Sequence, residues 1–289
     1  MFDPAQLAAL AAVHRRGSFD LAAAELHVTP SAISQRIKAL EEAAGTLLVR
    51  RGQPCTATET GLRLVRHHEE ISLLDKALAE DLNRPAAPAT LRVAINADSL
   101  ATWVIPALAA VEGFLYDIQI DDQDFSQDLL KRGEVAAAIT SHPGPLQGCD
   151  TIALGRLRYR CTASPAFRDR WFPQGPTAEA LAQAPALRFN DKDRLQADWA
   201  ARLTGARFPL PSHRLASSQG FVTACVAGLG WGLHPEALVA PHLASGALVD
   251  LGDAPEIALY WQFNRLTARA IAPLTRALQR AAEGAPIRP

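Results

Sequence analysis

Ser31, Ser34, Gln35 and Lys38 recur at i, i+3, i+4 and i+7, the spacing that places side chains on one face of an α-helix. Ile33, Ile37 and Leu40 share the opposite face, which must turn inward. The outward face therefore carries short hydroxyls, one amide and one cation. Such groups can read base edges in the major groove of double-stranded DNA. Arg36 flanks that face, where a phosphate is the nearer partner. Arg50 and Arg51 follow in a short wing-like stretch, where cations hold the backbone or enter the minor groove. Thr29 as N-cap and Pro30 as first helical residue open the helix and belong to the same expected contact surface. By spacing alone, an ordinary polar surface helix competes with this reading. Charge does not separate the two. Over residues 1–60, Arg15, Arg16, Arg36, Lys38, Arg50 and Arg51 balance Asp3, Asp20, Glu25, Glu41, Glu42 and Glu59.

Other chemistries find little support. No G-x-S-x-G, P-loop, H-E-x-x-H or Cys–His spacing nominates a catalytic centre. Cys55, Cys149, Cys161 and Cys225 form no C-x-x-C and no cluster with histidine, so they read as reduced thiols rather than zinc ligands. His67-His68 lie on a helix with no metal-site partner. The run GLGWG (228–232) lacks the dinucleotide-loop spacing and a preceding strand, so a helix C-cap leading into a strand is expected. No enzyme activity, metal or cofactor is expected. Arg15 and Arg16 follow the first apolar stretch, the wrong order for an export signal. No apolar run approaches ~18 residues, so no membrane association is expected and the cytoplasm is the expected location. A ligand-binding transport component would need an export signal or anchor and would not need residues 1–60.

The 289 residues, at ~150 per domain, suggest about two domains. With 48% hydrophobic and 20% charged residues a large core can be buried, and the formal charge of −1 excludes a polybasic or strongly acidic chain. The first ~84 residues read as nearly all helix. Leu7, Leu10, Ala11 and Val13 make one stripe, Gly17-Ser18 breaks it, and Ser18 caps a second helix to Leu26. The small Ala22 and Ala23 allow close approach to the third helix, which Gly45 ends. Residues 46–57 suit a small β-wing. From Thr58 to Leu82, Leu64, Ile71 and Leu78 recur every seven residues with Leu74 between, a coiled-coil seam interrupted at His67. The Pro-rich stretch NRPAAPA (83–89) is a linker. Beyond it strands (Leu91–Ile95, 118–120, 135–139) alternate with helices (99–111, 126–132), which argues an α/β domain with a mostly parallel sheet.

The stretch SFDLAAAELHVTPSAISQRIKALEEAAGTLLVRRG resembles the signature of LysR-type transcriptional regulators: a Gly-Ser-Phe break, a doubled alanine, a Thr-Pro-Ser-Ala-Ile-Ser start and an Ile-x-x-Leu-Glu exit. In the wing, QPCTATETG departs from the usual Gly-rich, Leu-Thr-x-x-Gly run. The resemblance implies an α+β multidomain chain: a winged helix-turn-helix (1–60), a long dimerising linker helix and hinge (61–89), and a two-lobed α/β effector-binding domain of periplasmic-binding-protein-like fold (90–289). Lobe I is expected at 90–160 and 265–289 and lobe II at 161–264, with hinges near Tyr159–Cys161 and Gln262–Leu266. Operator DNA is the implied partner, the chain pairs as a homodimer or tetramer, and RNA polymerase is a further candidate.

INADSLATWVIPAL (95–108), LLKRGEVAAAIT (129–140), SSQGF (217–221) and LYWQF (259–263) resemble the ArgP/LysG subgroup. That likeness implies a basic amino-acid effector, lysine or arginine, and control of export or metabolism genes. A LysR-type regulator of a different small molecule is the alternative. A basic amino acid carries one carboxylate and two cations. Ligands of open α/β sheets bind beyond the carboxyl ends of strands, where Ala97, Asp98 and Ser99 follow the first strand. Ser217 and Ser218 hold the corresponding place before the helix of residues 219–227. Helix N-termini there suit the α-carboxylate. Asp122 and Asp124, with Asp121, and the pair Asp191 and Asp193 offer charge-assisted partners for the cations, and Trp103 could cover the ligand stem. Each has a plainer reading: Asp98, Ser99 and Asp193 as caps, residues 121–124 as a solvated loop, and Trp103 as core.

Overall fold

The computed structural model describes residues 2–284 and 287–288. The expected outer bounds at residues 1 and 289 lie outside that range. The N-terminal unit holds α1 (Pro4–Arg16), α2 (Phe19–Glu25) and α3 (Pro30–Ala44). Side-chain caps set each start. Asp3 accepts from the Ala5 and Gln6 amides, Ser18 from that of Leu21, and Thr29 from that of Ala32. Gly17 and Gly45 close α1 and α3 with left-handed backbone. Ala22 and Ala23 are buried where α2 meets its neighbours, and Leu7, Leu10, Val13, Ile33, Ile37 and Leu40 close one core with them. The wing pairs β1 (Val49–Arg50) antiparallel to β2 (Thr56–Ala57).

The long helix α4 (Glu59–Asp81) begins at a Thr58 cap whose hydroxyl also donates to the Leu47 carbonyl at 2.9 Å. Gly61 lies against the wing so closely that a Cβ there would collide with the Leu48 carbonyl oxygen. Along α4, Leu64 packs on the helix-turn-helix core, whereas Leu74, Leu78 and Leu82 stay exposed. No described helix is long and apolar enough to cross a membrane.

The effector unit follows the expected alternation. β3 (Ala89–Ile95) leads into α5 (Ala97–Ser99), a π-helical turn (Leu100–Val104) and α6 (Ile105–Ala109). β4 (Phe114–Ile120), α7 (Ser126–Lys131), β5 (Ala137–Thr140) and the 15-residue β6 (Cys149–Ala163) come next. Then follow α8 (Pro165–Trp171), α9 (Ala178–Leu181), β7 (Ala186–Arg188), α10 (Leu195–Thr204), β8 (Ser212–Arg214), α11 (Ser218–Val226), β9 (Gly232–Pro235), α12 (Glu236–Ala244) and β10 (Val249–Asp250). β11 (Glu256–Asn264), α13 (Ala272–Gly284) and β12 (Ile287–Arg288) end the chain.

The sheet runs β10-β6-β11-β5-β3-β4, with β9 and β12 also on β6. It is mixed rather than mostly parallel. β3 lies parallel to β5, but β11 is antiparallel to β5 and β6, and β9, β10 and β12 are antiparallel to β6. The reason is the long β6, which serves both lobes. Cys149 to Arg158 pair with β11, and Tyr159 to Ala163 pair with β9 or β10. The change of partner along β6 thus falls at Arg158/Tyr159. The second expected hinge does not fall at Gln262–Leu266. β11 pairs along β5 and the first part of β6, so it belongs to lobe I, and the return lies at residues 251–255. Strand periodicity locates β11; which sheet edge receives it is a non-local choice.

Candidate functional site

α3 presents the expected polar face. Thr29, Pro30, Ser31, Gln35 and Lys38 are exposed, and Ser34 and Arg36 are half-buried at its margin. The hydroxyls of Thr29 and Ser31 lie 2.9 Å apart at the helix start. The ammonium of Lys38 stands 3.8 Å from Glu42, both largely in solvent, a pair weak enough to yield to a phosphate. Arg50 and Arg51 are exposed on and beside the wing. The Arg51 guanidinium lies over the Phe19 ring at 5.4 Å, which steadies it at the edge of α2. Hydroxyls, an amide and Lys38 lie along the helix and the arginines lie at its flank and on the wing, a division that suits base reading and backbone holding.

Between the two lobes of the effector unit lies a cavity that opens to solvent at its mouth. Asn96, Ala97, Asp98, Asp121, Asp122 and Gln123 line it from lobe I. Phe189, Asn190, Asp193, Gln196, Ser218, Phe221 and His234 line it from lobe II. Four aspartates face this space, and no lysine or arginine is among the lining residues.

Asp98 is the most enclosed of them. Its two carboxylate oxygens accept from Tyr159 Oη and Ser218 Oγ, each at 2.7 Å, so one side chain joins lobe I, the crossing strand and lobe II. Burial pushes the Asp98 carboxyl up despite these two donors. Burial also raises Asp122 to about 6, helped by Asp124, Asp193 and Asp121, and it raises Asp193. A site that shifts three carboxyls toward the neutral form gains by taking up positive charge. At the mouth, Lys192 of lobe II reaches Asp121 of lobe I at 2.6 Å and lies 4.8 Å from the Phe125 ring centre, so part of that demand is met from within the chain.

Of the residues expected around the effector, the cavity gathers Ala97, Asp98, Asp122, Asp193 and Ser218. Asp193 also caps locally, accepting from the amides of Phe189 and Leu195 at 2.9 and 3.1 Å. Five others point elsewhere. The helix begins at Ala97, so Ser99 is internal to it rather than its cap. Ser99 lies about 100° round the helix from Asp98, and Trp103 follows in the π-helical turn. Both turn into the core, with Trp103 3% exposed. Asp124 is exposed and accepts from the Ser141 hydroxyl. Asp191 is exposed and pairs with Arg214 at 2.9 Å. Asn190 Oδ1 accepts from the Lys192 and Asp193 amides, and this turn directs Asp193 inward and Asp191 outward. Ser217 caps α11 from outside the cavity.

The three cysteines of the effector unit are shifted away from the thiolate. Burial pushes Cys161 well up, Cys225 to about 12, and Cys149 upward, the opposite of an activated thiolate. Among the described residues no cluster of His, Cys, Asp and Glu could hold a metal ion.

Residues 4–62 match the family profile for the bacterial regulatory helix-turn-helix protein, lysR family, and residues 85–283 match the LysR substrate binding domain. The chain belongs to the LysR family of transcriptional regulators. It is 42% identical to the HTH-type transcriptional regulator LysG of Mycobacterium tuberculosis, over 98% of this chain and 94% of that one. The crystal structure of ArgP from Mycobacterium tuberculosis superposes with TM-score 0.81 at 41% identity, covering 98% of each chain. Full-length LysG from Corynebacterium glutamicum with bound effector Arg gives TM-score 0.69 at 37% identity, over 99% of this chain and 100% of that one.

In this LysR-type regulator the polar lining residues that sequence reasoning missed are Asn96, Gln123, Asn190, Gln196 and His234, beside apolar ones such as Phe189 and Phe221. An isolated amide or imidazole in a strand or turn carries no periodic signal, so only the closing of the lobes brings them together. His234 was readable as strand Leu233-His-Pro but not as cavity wall.

Proposed function

We propose that this LysR-type regulator binds a basic amino acid, arginine or lysine, between its lobes and uses that binding to alter how its helix-turn-helix engages operator DNA. The observation that carries this reading is the cavity's charge: four lining aspartates without a lining cation. Aspartates offer a guanidinium or ammonium charge-assisted hydrogen bonds. The likeness to LysG with bound effector Arg supports the same class of ligand. Neutral polar groups of the cavity wall and the backbone amides at the start of α11 are the available partners for the carboxylate. Ligand can shift DNA geometry only by favouring one arrangement of the lobes over another. Exposed Leu74, Leu78 and Leu82 on α4 offer the apolar face for pairing as a homodimer, with a tetramer as the higher assembly. We place the chain in the cytoplasm, acting without catalysis, with RNA polymerase as a further partner.

Calorimetric titration with arginine, lysine, histidine and leucine tests the reading. Saturable binding of arginine or lysine, absent for leucine and weakened in Asp122→Asn, is the expected result. No binding of any basic amino acid would overturn it.

Binding should also depend on pH with a defined sign. Asp122 titrates near 6 in the free protein. Its carboxylate, with Asp98, Asp121, Asp124 and Asp193 around it and Lys192 and His234 nearby, attracts a cation only when ionised. Arginine affinity should therefore fall as pH drops from 7.5 to 5.5, and binding at pH 6 should release protons. Titrations in buffers of different ionisation enthalpy measure that release. Proton uptake at pH 6 would contradict the carboxylate–cation pairing.

On the DNA side, Gln35→Ala should cost about tenfold on a selected operator and little on random duplex. Arg51→Ala should weaken both alike. Fluorescence anisotropy on the two duplexes checks this, and equal loss from Gln35→Ala on both would remove its base-reading role.

A further inference from the structure

We infer that His234 is the specificity residue for the amino acid's carboxylate, donating a hydrogen bond to it from the imidazole while the aspartates take the cations. This deepens the effector reading above and rests on it. His234 stands on β9 and lines the cavity with only 1% of its surface exposed. Neither ring nitrogen has a hydrogen-bond partner among the described residues. Buried polar groups are nearly always satisfied, so an enclosed imidazole with both nitrogens open marks a place where a partner arrives. The ring is held edge-on to Phe221, centres 5.9 Å apart, so its orientation is set before any ligand binds.

The chemistry of the neighbours assigns the partner. Asn96 Oδ1 and Gln196 Oε1 are the other buried, partnerless atoms on the cavity wall, and both can only accept. The hydroxyl of Ser218 is spent on Asp98. A neutral imidazole carries one N–H, so among the described residues His234 is the lining side chain with a buried donor left open. Four aspartates and two open acceptors suit the ammonium and guanidinium of a basic amino acid. They repel its carboxylate, which then needs a fixed donor. Burial holds the free His234 neutral, with its pKa lowered to about 3, so the ring does not itself neutralise the aspartates. The assignment predicts that the site distinguishes an amino acid from the amine left when its carboxylate is removed.

The test titrates arginine and agmatine, which is arginine without its carboxylate, into wild type, His234→Phe and His234→Gln. Phe keeps a ring and removes both nitrogens; Gln restores a donor. The expected result is a loss of tenfold or more for arginine in His234→Phe, less than twofold for agmatine, and substantial recovery for arginine in His234→Gln. The unfolding midpoint without ligand should not fall in His234→Phe, because no hydrogen bond within the protein is removed. Equal losses for arginine and agmatine would overturn the assignment, as would undiminished arginine binding or identical behaviour of the Phe and Gln variants. Where agmatine binds wild type too weakly to compare, the Gln against Phe contrast on arginine decides. Failure of wild type to bind arginine at all would instead overturn the effector reading beneath it.

Discussion

Asp98→Asn is expected to weaken arginine or lysine binding by roughly 30-fold or more while making the ligand-free effector domain more stable. The two effects have one origin. Asp98 is enclosed, and its carboxylate is pressed toward the neutral form by burial. Asparagine keeps the shape, accepts from Tyr159 and donates to the Ser218 hydroxyl in place of accepting from it. It removes a charge that the empty site cannot compensate, and the unfolding midpoint should rise by about 2–4 °C per kcal/mol relieved. Truncating one member of a buried charge pair costs about 2–5 kcal/mol in the complex, which sets the affinity loss.

The sign with pH follows from linkage. A carboxyl whose folded pKa is raised holds its proton more firmly when folded than unfolded, so its ionisation destabilises the fold above the unfolded pKa. The advantage of Asp98→Asn should therefore be present at pH 7.5 and shrink as pH falls to 4 and below, where the unfolded wild type takes up the proton as well. Thermal unfolding across that range and calorimetry at pH 7.5 measure both halves. A variant that is less stable and binds arginine normally would show that Asp98 serves architecture alone.

The second large effect is expected at Gly61, in the first turn of α4. Alanine is the better helix former by about 1 kcal/mol, so an unconstrained helix would gain from Gly61→Ala. Here the added methyl meets the backbone carbonyl of Leu48, with the Ala57 side chain 3.2 Å away on the other side. A backbone oxygen cannot swing aside as a side chain does, and overpacking of this kind costs about 1–3 kcal/mol or more. The collision outweighs the propensity gain. Gly61→Ala should loosen the wing against α4, lower amide-exchange protection in α3 and α4, and weaken binding to operator and random DNA alike. Arginine binding, which lies in the other unit, should be unchanged. A rise in stability of about 1 kcal/mol would mean that the wing and α4 part without cost.

Local chemistry in the sequence was sufficient for the DNA-binding unit. Caps at Ser18 and Thr29, Pro30 at the first helical position, Gly45 at the end and the inward stripe Ile33–Ile37–Leu40 act over at most one or two turns. The polar face of Ser31, Ser34, Gln35 and Lys38 is therefore legible from spacing, as is the wing between Thr46 and Ala57. In the effector unit, strands and helices were legible to within a few residues for the same reason. Their assembly was not. β11 joins lobe I because it pairs with β5, more than a hundred residues earlier in the chain, and the mixed sheet and the crossing at 251–255 follow from that pairing. The acidic residues were visible as a set, but helical rotation sends Ser99 and Trp103 inward while Asp98 faces the cavity, and one turn at Asn190 parts Asp193 from Asp191. His234 gave no signal beyond its strand. Spacing along a chain determines which side chains share a face, whereas packing between distant segments decides which faces meet, and in this protein the aspartate-lined cavity exists only where they do.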